Sequence, residues 1–152
     1  MPSFTPIFIP GLLCTELLFA KQRASLPNQG YIADTRRHDS INEMALAALD
    51  LCDGPLVPIG LSMGGYVALE MARLAPQRMA AMALLSSNCR DDSAENQHQR
   101  KQAIALAKDK GFHGVTRHLM PRLLSEAALQ DEAIVADVLA MAADIGRLGF
   151  IQ

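Results

Sequence analysis

Between the apolar run at residues 56–60 (LVPIG) and a helical run at 65–75 (GYVALEMARLA), the chain places Gly60-Leu61-Ser62-Met63-Gly64-Gly65. Small residues two before and two after a serine let a strand turn sharply into a helix, a turn that bulkier neighbours would block. The serine of such a turn takes strained backbone angles and lifts its hydroxyl above the sheet. It also stands at a helix N-terminus, where partial positive charge favours an anion. The pattern G-x-S-x-G is common on its own, but a buried strand before it and a helix after it give it weight.

The rest of the first half repeats the strand–helix alternation. Residues 5–10 (TPIFIP) read as a buried strand closed by Pro-Gly, and Leu13, Leu17, Leu18, Lys21 and Gln22 are spaced as a short amphipathic helix facing the sheet with its leucines. Residues 27–30 form a turn by composition, 30–34 (GYIAD) a second strand, and RRHDS a polar loop. Ser40 and Glu43 make an S-x-x-E helix start, for a helix carrying Met44, Leu46, Leu49 and Leu51 up to Asp53-Gly54-Pro55. After the elbow and its helix, ended by Pro76, residues 79–85 (MAAMALL) read as a fourth strand. This order predicts parallel strands joined by right-handed crossovers, an open α/β sheet.

Beyond residue 90 the composition changes. RDDSAENQHQRK is highly polar, and three helical stretches follow at 97–110, 112–124 and 129–148, with no strand signal. The domains expected are therefore a core over 1–90 and a helical region over 91–152. A net charge of −2 offers no basic footprint for nucleic acid and no polybasic membrane patch. Cys14, Cys52 and Cys89 are odd in number and far apart with no C-x-x-C spacing, which argues against a zinc or disulfide framework and suits a reducing cytoplasm. Pro2, Pro6 and Pro10 interrupt the apolar start, against a signal peptide or membrane helix. No G-x-G-x-x-G and no metal-ligand cluster implies a cofactor.

The run GLSMGGYVALEMARLAPQRMAAMALLSS resembles the elbow, helix and following strand of the α/β-hydrolase family, and IPGLLCTELLFAKQ resembles that family's loop after an earlier central strand. The resemblance implies an open, mostly parallel sheet of that type, with about four strands present, its last strands missing and a helical cap over 91–152. It implies Ser62 as nucleophile, with the backbone N–H groups of Leu12 and Met63 as oxyanion donors. The cap implied would shape an apolar pocket, with Leu119, Met120, Leu123 and Leu124 as candidate lining residues.

In this family the triad runs Ser, then Asp or Glu, then His, from loops after later strands. No strand follows residue 87 here and no histidine follows His118, so the sequence reads as truncated before the triad acid and base. His38 follows the second strand, two places from the elbow. His98 sits in the polar linker, expected to be exposed. His113 and His118 lie on the expected cap helices and read as partly buried structural histidines. Asp131, Glu132, Asp137 and Asp144 read as the polar face of a helix.

The function expected of the complete parent is hydrolysis of a small carboxylic ester, thioester or lactone through an acyl-enzyme on Ser62. The truncated chain is expected to be inactive and only marginally stable. Carbon–carbon bond hydrolysis, perhydrolysis and lyase chemistry use the same machinery and stay open. Dehalogenation is disfavoured, because its relatives carry an aspartate at the position of Ser62. From another class, a non-catalytic relative that binds a small ligand or a protein is the alternative. The partner expected is a small-molecule substrate, with no nucleic acid and no membrane, and the oligomeric state is open.

Overall fold

β1 (Thr5–Ile9), β2 (Tyr31–Ile32), β3 (Leu56–Leu61) and β4 (Ala83–Leu85) form one parallel sheet in the order β2-β1-β3-β4. The structure is a computed structural model describing residues 4–109, 112 and 114–151. The helices are α1 (Ala20–Ala24), α2 (Ile41–Leu49), α3 (Met63–Leu74), α4 (Ala94–Asp109), α5 (Met120–Leu123), α6 (Glu126–Leu129) and α7 (Glu132–Ile151). The chain divides into two compact units, one of residues 1–12 and 18–89, the other of 13–17 and 90–151.

In the first unit α2 and α3 bury one face of the sheet around β1 and β3, while Leu84 and Leu85 of β4 stay exposed. Ile7 and Ile9 of β1 join Leu56 and the inner faces of α2 and α3, including Met44, Ala48, Val67, Ala68 and Met71, in one core. Phe8, between them, turns to the opposite face. There its ring lies 5.1 Å from that of Phe19. The segment after β1 thus buries Phe19, and not the leucines its spacing suggested: it begins as a 3-10 turn at Glu16–Phe19, and Leu17 is 47% exposed. Leu46 of α2 is likewise exposed, whereas Ser40 caps that helix as expected, accepting from the Glu43 N–H at 3.2 Å.

The fourth strand is shorter than its apolar run. Met79 bridges Leu56 and Ala80 donates its N–H to the Leu56 carbonyl, but the ladder resumes only where Ala83 pairs Ile59. Residues 56 to 59 of β3 therefore face 79 to 83 of β4, one residue more, a bulge. Pro58 accounts for it. Alternation along β3 turns residues 56, 58 and 60 towards β4, and proline has no N–H to give there.

In the second unit, α4 packs against α7, and Ala107, Met120, Val135, Met141 and Ala142 are buried. Phe112 and Phe150 stack at 5.1 Å. The stretch 112–124 is not one helix: Gly114 has φ +61, Thr116 is extended, and only a 3-10 turn at Arg117–Leu119 and the four-residue α5 form. Leu123 is 56% exposed. α7 bends at Gly146, whose φ of 63° and ψ of −166° are not helical.

Candidate active site

Ser62 is the junction between β3 and α3, with φ 51° and ψ −112°, backbone angles that side-chain-bearing residues rarely adopt. It is exposed at the carboxyl end of the sheet. Its N–H donates to the Leu85 carbonyl at 2.9 Å and its own carbonyl accepts from the Gly65 N–H at 2.9 Å, so the turn is pinned on both sides.

The glycines of the motif are where backbone meets backbone. A Cβ at Gly60 would lie 2.2 Å from the Gly64 carbonyl oxygen, and one at Gly64 would lie 2.1 Å from that of Ile9. At Gly65 the obstacle is a side chain, Ser87, with its Oγ at 2.2 Å. These contacts explain why the turn tolerates no bulk and why α3 starts at Met63, two residues earlier than the apolar pattern indicated.

The loop after β1 meets the same turn. A Cβ built on Gly11 would stand 3.1 Å from the Leu61 carbonyl oxygen and 3.5 Å from the Ser62 Cβ. Leu12, the next residue, is 39% exposed. Met63 is the first residue of α3, so its N–H belongs to the turn that has no acceptor within the helix. The structure thus brings together the elbow of β3 and the loop after β1, and places Ser62 where the helix dipole favours developing negative charge.

It does not bring a histidine there within this unit. His38 follows β2, two strands from β3, which at normal strand spacing is roughly 10 Å. Beside it, Asp34 is engaged by Arg36 at 2.8 Å and Arg37 at 3.2 Å, and the Arg36 hydrogen bond holds its carboxyl below the usual carboxylate range. His98 is exposed and contacts Gln102 along α4 at 2.8 Å. His118 is exposed too, contrary to its expected partial burial, because it sits on a single 3-10 turn. His113 lies outside the described residues.

Two of the late carboxylates, Asp131 and Glu132, have structural work. Asp131 caps α7, accepting from the N–H groups of Ala133 at 3.0 Å and Ile134 at 3.3 Å. Glu132 pairs with Arg117 at 3.0 Å, which lowers its pKa. Among the described residues no group of three His, Cys, Asp or Glu side chains could hold a metal ion, and no helix is long and apolar enough to cross a membrane. Cys14, Cys52 and Cys89 form no disulfide with one another.

Sequence reasoning missed Ser86 and Ser87, which close β4 beside the elbow. Ser86 has φ 46°, and the Ser87 Oγ is buried without a hydrogen-bond partner. Their signal was positional: a pair of serines ending the strand next to the one that carries Ser62.

A dihydrolipoyllysine-residue acetyltransferase component of an acetoin cleaving system from Pseudomonas putida is 31% identical over 135 residues, covering 77% of this chain and 36% of that protein. A thermophilic esterase from Thermogutta terrifontis shares the fold with a TM-score of 0.82 at 23% identity, covering 98% of this chain and 61% of that one. The enol-lactonase from Burkholderia xenovorans LB400 gives a TM-score of 0.73 at 18% identity, covering 98% and 63%. The chain spans about a third of the length of the acetyltransferase component and less than two-thirds of either solved structure. The thioesterase domain family matches residues 20–148, most of both units. Parallel sheet, strand-to-helix elbow and family match agree: the chain belongs to the thioesterase domain family and has the α/β-hydrolase fold.

Proposed function

We propose that Ser62 is the nucleophile of a serine hydrolase that cleaves a thioester, or a small ester or lactone, through an acyl-enzyme. The observation that carries this reading is the backbone of Ser62: a strained, exposed serine on a turn held tight by three glycines and backed by Gly11. Strain at a non-glycine residue persists where the surroundings over-determine it, as at catalytic turns.

In the proposed reaction the Ser62 Oγ adds to the acyl carbon while a base takes its proton. The carbonyl electron pair moves onto oxygen, where the N–H groups of Leu12 and Met63 donate to it. Collapse expels the thiolate or alkoxide and leaves acyl-Ser62, and water then releases the acid by the same route. The proposal assigns the base and its acid partner to no residue of this chain, so the isolated 152 residues are expected to be inactive. Residues 91–152 would serve as the cap, and the protein would work in the cytoplasm on a small-molecule substrate.

The test is hydrolysis of butanoyl-N-acetylcysteamine and p-nitrophenyl butyrate by the full-length gene product and its Ser62→Ala variant. A loss of three or more orders of magnitude is expected, on the order seen when a triad serine is removed. Turnover that survives Ser62→Ala would exclude Ser62 as nucleophile. Absence of any turnover would favour the non-catalytic binding module, a reading that the distance of His38 from the elbow keeps in view.

A further inference from the structure

β3 and β4 end side by side in serines. The ladder pairs Leu61 with Leu85, and the Ser62 N–H donates to the Leu85 carbonyl, so Ser86 is the cross-strand neighbour of Ser62. Both residues are exposed and both hold a left-handed φ, 51° and 46°. Side-chain-bearing residues rarely take up that conformation, and here it occurs at the same level of adjacent strands.

Ser87 explains why Ser86 stays strained. Its Oγ is buried without a partner, and its Cβ and Oγ occupy the place that a side chain at Gly65 would need, at 2.4 and 2.2 Å. The residue after Ser86 is therefore wedged against the first turn of α3. Ser86 cannot relax without drawing Ser87 out of that site.

The sheet order sets what Ser86 can do. With β3 between β1 and β4, Gly11 and Leu12 flank Ser62 on one side and Ser86 on the other. In the reading of Ser62 as nucleophile, on which this inference rests, the oxyanion is drawn towards the Leu12 side. A substituent of the acyl carbon then projects towards β4. A thioester sulfur is a weak acceptor, so the group that a hydroxyl can recognise there is an oxygen on the acyl chain.

Adjacent strands are roughly 4.8 Å apart and a hydroxyl hydrogen bond spans about 2.8 Å, which leaves about 2 Å, crossed by two bonds from the acyl carbon or by three in a bent chain. We propose that Ser86 is a specificity-determining residue that hydrogen-bonds an oxygen on the second or third carbon of the acyl chain, so that thioesters of short hydroxy- or oxo-acids are preferred.

The experiment compares kcat/KM for 3-hydroxybutanoyl- and butanoyl-N-acetylcysteamine in the full-length gene product, with Ser86→Ala, Ser86→Gly and Ser62→Ala. Wild type is expected to prefer the hydroxyacyl thioester, and both Ser86 variants to lower that preference about tenfold, the scale of one neutral hydrogen bond. Ser86→Gly keeps the left-handed backbone without strain, so a loss shared by both variants belongs to the hydroxyl. An unchanged preference, or a loss only in Ser86→Ala, overturns the inference while Ser62-dependent turnover leaves the hydrolase reading standing. Turnover that ignores Ser62→Ala, or none at all, overturns both.

Discussion

The first turn of α3 presses on the end of β1: a Cβ at Gly64 would stand 2.1 Å from the carbonyl oxygen of Ile9. The obstacle is backbone, which cannot rotate away as a side chain can. Gly64→Ala is therefore expected to cost about 3 kcal/mol, the upper part of the range for overpacking. Gly54 provides the comparison. It has φ +78 but nothing within 4 Å of an added Cβ, so Gly54→Ala should cost only the left-handed penalty of about 1–2 kcal/mol. Urea unfolding of both variants checks the order; equal costs would mean that α3 moves off β1 freely.

Arg78 holds the exit of α2. Its guanidinium donates to the carbonyls of Gly54 at 3.0 Å, Leu49 at 2.9 Å and Cys52, three acceptors that helix end and turn leave unpaired. Removing the fork strands part-buried oxygens, so Arg78→Ala should destabilise by about 2–3 kcal/mol. Arg78→Lys should recover less than half, because an ammonium cannot meet three divergent carbonyls in one plane. Full rescue by lysine, read from denaturation midpoints, would show that charge alone matters.

Much of this unit was legible in the sequence, and the departures have local causes. The elbow, the parallel pairing of the strands and the Ser40 cap follow from short-range chemistry: glycine spacing, strand–helix alternation and S-x-x-E. The fourth strand did not, because an apolar run reports burial and not pairing, and Pro58 on the neighbouring strand interrupts the ladder. The segment 112–124 reads as helical by its leucines, yet Gly114 and Pro121 lie within it, the one at positive φ and the other at the start of α5, so no single helix runs through. At the site, Ser62 stood out through its flanking glycines. Ser86 and Ser87 gave no such mark, since their importance lies in register with a strand more than twenty residues away.

The ion pair on α3 should make stability acid-sensitive. Hydrogen bonds from Arg73 at 2.7 and 2.8 Å, and then from Asn42 at 2.8 Å, hold the Glu70 carboxyl down at about 2 from 4.5. The folded state thus keeps Glu70 ionised where the unfolded chain would bind a proton. Its contribution is complete above about 4.5 and is lost as pH falls towards about 2. Glu70→Gln should flatten the fall in Tm across that window and leave the slope above it unchanged. An identical pH profile in wild type and variant would show that the pair is as strong in the unfolded chain.

The strain at Ser62 should be measurable as stability withheld. At φ 51° and ψ −112°, outside the left-handed helical region, a side chain costs about 1–2 kcal/mol, whatever its chemistry. Ser62→Ala keeps that cost and should unfold with the wild type. Ser62→Gly removes it, at the expense of about 0.5–1 kcal/mol for the freer unfolded chain, leaving a net gain of about 0.5–1 kcal/mol. The approach of Gly11 to the Leu61 carbonyl does not involve the Ser62 side chain, so the difference between the two variants reports mainly the backbone term. A glycine variant no more stable than alanine, by urea titration, would mean that the elbow rests unstrained. A more stable glycine variant would show that the fold gives up stability to hold a serine where the proposed chemistry needs it.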